Sequence, residues 1–152
     1  MIERLLVLAE SLANDGARSL TLKRRAVSTA YYAVFHALAQ LCADEVSGGL
    51  SATDDVAYVR IYRALDHGTL KTAFKTAPLN QIAMLQRIGD RAVELQSERI
   101  RSDYLPSQSL YTVEECRAFV DSARWTVRAI TRLSPEDRKT LAVFLLFKNR
   151  PQ

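Results

Sequence analysis

The stretch that most constrains this chain is "AVSTAYYAVFHALAQLCA", residues 26–43. A segment that is apolar on almost every face of a helix has no side to turn to water, so other elements must surround it. It predicts a central helix from about Thr21 to Asp44. Five glycines and four prolines leave little turn chemistry for a many-stranded β fold. At 152 residues the chain is long enough to bury a core as one domain without disulfides or metal. The expectation is an all-α protein, a bundle of five to six helices with short connections, spanning residues 1–152 as a single domain.

The remaining elements follow from periodicity and caps. "IERLLVLAESLAND" carries an apolar stripe through Ile2, Leu5, Leu6, Leu8, Ala9, Leu12 and Ala13, and Asn14-Asp15-Gly16 supplies its stop. "EVSGGLSATDD" reads as the main loop, with Gly48-Gly49 its strongest break. A third helix is predicted from about Asp54 to Lys75, interrupted at His67-Gly68 and closed by Pro78. A fourth runs from about Asn80 to Tyr104, just before Pro106. Thr112 with Glu115 forms a capping box for the fifth. Ser134-Pro135-Glu136 opens the last.

Hydrophobic residues at 48% and charged residues at 25% describe a globular rather than a disordered chain. The net charge of +4 and pI near 9.3 permit nucleic-acid binding without requiring it. Cys42 and Cys116 sit in apolar helical patterns and read as buried, reduced thiols. The N-terminal apolar run is too short for a signal peptide, and no stretch reaches membrane length. The expected setting is a cytoplasm, with no membrane association. No metal or cofactor is expected, because two His and two Cys at irregular spacing make no zinc site and no phosphate loop is present.

Three regions depart from a simple amphipathic pattern. Arg25, Thr29, Tyr32, His36 and Gln40 fall on one face of the otherwise apolar second helix. Such a seam is either that helix's water-exposed stripe or a face turned to a groove or a dimer mate. His67, followed by Lys71 and Lys75, either forms a solvated basic face or offers positive charge to phosphate. Near residue 100, "SERIRSDYLP" ends the fourth helix. The helix dipole accounts for Arg99 and Arg101 at a C-terminus but not for Asp103. An i,i+4 pair with Arg99 does account for it, and Tyr104 adds a phenol that can donate or accept.

Three segments together resemble small prokaryotic HEPN-domain proteins. "RRAVSTAYYAVFHAL" is similar to that family's second-helix pattern, "YRALDHGTLKTAF" to its third-helix stretch, and "RIRSDY" to its fourth-helix pattern. The resemblance spans about Leu20 to Ile130. It implies a four- to five-helix up-and-down bundle, usually a homodimer, with a metal-independent ribonuclease site in the dimer cleft of catalytic members. The family signature is an Arg followed four to six residues later by a His. Arg99 matches the Arg, but Asp103, Tyr104 and Leu105 occupy the positions where the His would stand. The resemblance further implies a minimal nucleotidyltransferase partner, as antitoxin or nucleotide-transfer subunit.

Metal-free RNA cleavage needs a base for the 2′-hydroxyl, an acid for the leaving oxygen and a cation for the phosphorane charge. Arg99 supplies a cation, and a phenol, which ionises near pH 10, is a poor neutral-pH base. The leading expectation is therefore a nucleotide- or RNA-binding subunit, toxin-like or accessory, with Arg99, Asp103 and Tyr104 at its centre. Arg25, Tyr32, His36, His67, Lys71 and Arg101 are the candidate nucleotide- or RNA-binding residues. The rivals are an active ribonuclease using Arg99 with Tyr104, Asp103 or a distant His, and a non-catalytic dimerisation module.

Overall fold

A computed structural model describes residues 1–48, 55–106 and 110–148. The chain is an all-α helical bundle, and no strand occurs among the described residues. Among the described residues seven α-helices follow one another: α1 (Ile2–Asn14), α2 (Leu20–Ser47), α3 (Val56–Tyr62), α4 (His67–Phe74), α5 (Ala83–Tyr104), α6 (Val113–Thr131) and α7 (Pro135–Leu146). A 3-10 turn at Asp15–Arg18 joins α1 to α2.

The helices build two compact units, one from residues 1–36 and 91–128, the other from 37–90 and 129–152. In the first unit, Leu6, Ala9 and Ala13 of α1, Ala26, Val27, Ala30, Tyr31, Ala33 and Val34 of α2, Ala92 and Leu95 of α5, and Cys116, Val120 and Ala123 of α6 are all buried. Small residues all round α2 let neighbouring helices approach it closely, which is why its sequence is alanine-rich rather than leucine-rich. Polar staples rim this core. Arg124 reaches Glu10 at 2.8 Å, Arg117 reaches Asn14 at 3.0 Å, and the Lys23 ammonium donates to the Tyr111 carbonyl at 2.9 Å.

In the second unit Leu38, Leu41, Cys42, Leu70, Phe74, Leu79, Leu85, Ile88, Ile130, Leu141 and Leu145 are buried. Arg138 pairs with Glu45 at 2.6 Å, and the Tyr58 hydroxyl donates to Asp44 at 3.0 Å. Burial and that carboxylate push the Tyr58 phenol up to about 12. A Cβ on Gly89 would overlap the Phe74 ring, so α5 is glycine where that side chain of α4 packs against it.

Several sequence expectations change in detail. The third helix is two helices, and the chain breaks at residues 63–66 rather than at His67-Gly68. Asp66 explains the shift: its side chain accepts from the Gly68 N–H at 3.0 Å, making His67 the first residue of α4. This raises the helix count from the expected five or six to seven among the described residues. The second helix continues past Asp44 to Ser47 and stops at Gly48, whose φ of +79° is readily adopted by glycine. Residues 49–54 of the expected loop lie outside the described residues. The fourth predicted helix, now α5, starts at Ala83 rather than Asn80.

Other local readings hold. In the capping box, Thr112 Oγ1 accepts from the Glu115 N–H at 3.1 Å and Glu115 Oε2 accepts from the Thr112 N–H at 2.7 Å. Ser134 caps α7 through the Asp137 N–H at 3.1 Å, with Pro135 behind it. Cys42 and Cys116 are free and fully buried. Burial pushes their thiols up to about 12 and about 11.

Candidate functional site

The last turn of α5 and the first turns of α2 face each other within the first unit. Between them lies a cavity of about 420 Å³ lined by Thr21, Arg24, Arg25, Ser102, Asp103 and Tyr104. Arg25 and Tyr104 are both exposed, the phenol 73% so. Asp103 does not neutralise this pocket alone, because its carboxylate is already committed. Its Oδ2 lies 2.9 Å from Arg99 Nε, the i,i+4 pair that the spacing predicts. The alignment is that of a charge pair rather than of a formed hydrogen bond, since Nε has no partner within hydrogen-bond geometry.

Arg99 is held from a second side. Its Nη2 donates to the Tyr32 hydroxyl at 2.8 Å, and its guanidinium carbon lies 5.5 Å from the Tyr32 ring centroid. Burial works against this charge. The Tyr32 hydrogen bond, with Asp103 and Tyr104 nearby, outweighs it and raises the Arg99 pKa, so the group stays cationic at every physiological pH.

Tyr32 connects Arg99 to the polar seam of α2. Of the seam residues Arg25, Thr29, Tyr32 and His36, only Arg25 is exposed and the other three are half-buried; Tyr32 is the one that meets the α5 terminus, through Arg99. The His36 ring centroid is 6.4 Å from that of Tyr32. Burial, with the positive N-terminal amine behind it, lowers the His36 pKa and keeps its imidazole neutral near pH 7.

Arg101 serves a different contact. It pairs with Glu98 at 2.9 Å, and Glu98 also accepts from the Tyr111 hydroxyl at 3.0 Å. Burial and Glu98 push the Tyr111 phenol well above its ordinary range. This triad ties the start of α6 to α5 and leaves Arg101 outside the cavity wall.

His67 and Lys71 belong to the second unit, at the first turn and the last turn of α4. That unit has its own cavity of about 390 Å³, walled by threonines, alanines, Phe144 and Phe147, and Lys148 is its one charged lining residue among the described residues. Its apolar walls suit it less to phosphate than the arginine-lined cavity of the first unit.

Sequence reasoning passes over Thr21, Arg24 and Ser102, yet all three line the site. Arg24 lies beside Arg25 in a double arginine, which reads as one basic spot until the fold gives the two different neighbours. Among the described residues no cluster of three or more His, Cys, Asp or Glu side chains is placed to hold a metal, and no helix is long and apolar enough to cross a membrane. No family model, curated protein or solved structure matches the chain.

Proposed function

We propose that this chain is a HEPN-type nucleotide- or RNA-binding protein whose phosphate site is the cavity between α2 and the C-terminal turn of α5. One observation carries the proposal: Arg25 lines that cavity exposed, and its single carboxylate among the described residues, Asp103, is already paired to Arg99. That leaves the cavity electropositive, as an anionic ligand requires. Its volume suits one nucleotide-sized group. Tyr104 at the mouth offers an exposed ring on which a base can stack, a contact open to any unpaired base. Arg25, exposed and lining the cavity, takes the phosphate, and Arg99 sets the position of Asp103 behind it.

On the resemblance of its three segments, the chain acts as a homodimer, as a toxin-like or accessory subunit beside a minimal nucleotidyltransferase. The test is equilibrium binding of a fluorescent single-stranded RNA at low salt. Wild-type protein binds in a salt-sensitive manner, and Arg25→Ala weakens binding about tenfold while melting normally. Absence of binding by wild-type protein defeats the proposal.

A second reading, an active ribonuclease, is favoured by His36. A neutral imidazole beside Tyr32, the residue that accepts from Arg99, is a proton acceptor of the kind a phenol or an ion-paired carboxylate does not supply at neutral pH. Under this reading purified protein degrades RNA and His36→Gln abolishes turnover while RNA binding persists.

A further inference from the structure

Pro106 leaves a defect at the end of α5 that another helix repairs. In a continuing helix the carbonyl of Ser102 would accept from the N–H of residue 106, but proline has none. The preceding bond is intact, with the Leu105 N–H donating to the Arg101 carbonyl at 3.0 Å. At the next step Arg24 takes over. Its Nη1 donates to the Ser102 carbonyl at 2.9 Å, and its Nη2 donates to the Leu105 carbonyl. One guanidinium thus spans two carbonyls at the negative end of the helix dipole, where a cation is favoured. The two residues between those carbonyls are Asp103 and Tyr104.

We infer that Arg24 is a positioning residue: by replacing the hydrogen bond that Pro106 cannot make, it fixes where Asp103 and Tyr104 stand in the nucleotide site. The inference rests on the proposed nucleotide-binding role of that site. Lysine cannot take over, because an ammonium lacks the planar fork that reaches both carbonyls at once. A direct phosphate ligand and a positioning residue differ in one measurable respect. Removing a side chain that neutralises one phosphate of single-stranded RNA lowers the slope of log affinity against log salt by about 0.7, whereas displacing Tyr104 lowers affinity at unchanged slope.

The experiment compares wild type, Arg24→Gln, Arg24→Lys, Pro106→Ala and the double variant Arg24→Gln/Pro106→Ala. Two readouts are used: affinity for a single-stranded oligoribonucleotide across a salt series, and hydrogen exchange of the α5 C-terminal amides without RNA. Arg24→Gln and Arg24→Lys are expected to weaken binding about tenfold at unchanged salt slope and to speed exchange over residues 101–105. Pro106→Ala restores an N–H for the Ser102 carbonyl, so the double variant is expected to recover at least about threefold of the lost affinity and part of the protection. Unchanged exchange in Arg24→Gln, a slope reduced by about 0.7, or no recovery in the double variant overturns the positioning role. Wild-type protein that binds no RNA overturns the reading of the site itself, while the exchange data still decide whether Arg24 holds the helix end.

Discussion

Arg99 of α5 donates to the hydroxyl of Tyr32 on α2 at 2.8 Å while its Nε faces Asp103 at 2.9 Å, so one guanidinium joins the polar seam of α2 to the acidic end of α5. The two contacts divide the labour of keeping a partly buried cation in place: the carboxylate offsets its charge, and the phenol orients it. Neither alone would fix Asp103 at the cavity wall. With both, the carboxylate is held as a partner of Arg99, which on the proposed function lessens its repulsion of an incoming phosphate.

Removing the phenol hydroxyl tests that division. Tyr32→Phe leaves the ring and deletes the acceptor, so it is expected to cost about 1 kcal/mol of stability and to weaken RNA binding several-fold. Chemical denaturation and the binding titration check the two halves separately. Unchanged values in both would show that the Tyr32 contact does not organise Arg99.

The His36 environment predicts a pH dependence. The ring titrates near 6.5 when unfolded and lower when folded, because burial disfavours its charged form. Folding therefore favours the neutral ring. Its contribution to stability is full above pH 6.5 and is lost as pH falls through the lowered folded value. Within that window each pH unit removes at most about 1.4 kcal/mol. Melting temperature followed from about pH 8 to about pH 5 should fall below the unfolded value, and His36→Gln should flatten that part of the profile.

Gly89 faces the Phe74 ring too closely for a Cβ. Gly89→Ala gains up to about 1 kcal/mol of helix propensity but forces a buried ring aside, for a net loss of about 1–2 kcal/mol. Urea unfolding measures it. In a Phe74→Leu background the same change should cost less, since the ring that obstructs it is gone.

Much of this structure is legible in the sequence where the determinants are local. The capping box at Thr112 and Glu115, the Ser134-Pro135 helix start and the Arg99–Asp103 pair each depend on residues only a few positions apart, and each forms with the expected partners. The break before α4 is harder to place, because His67-Gly68 looks like a helix breaker while the decisive residue, Asp66, acts by capping the helix that follows. What a single sequence does not reveal is which distant groups converge. Tyr32 meets Arg99 across 67 positions, and Arg24 meets Ser102 across 78. The proline that orphans the Ser102 carbonyl is plain in the sequence; the arginine that answers it is identified only by packing.

The most direct measurement of the central claim is a backbone and arginine side-chain NMR titration of the intact protein with a short single-stranded RNA. Shifts concentrated at Thr21, Arg24, Arg25, Asp103 and Tyr104, and abolished in Arg25→Ala, are the predicted result. Saturable shifts confined to α4 and α7, or none at all at low salt, would contradict it.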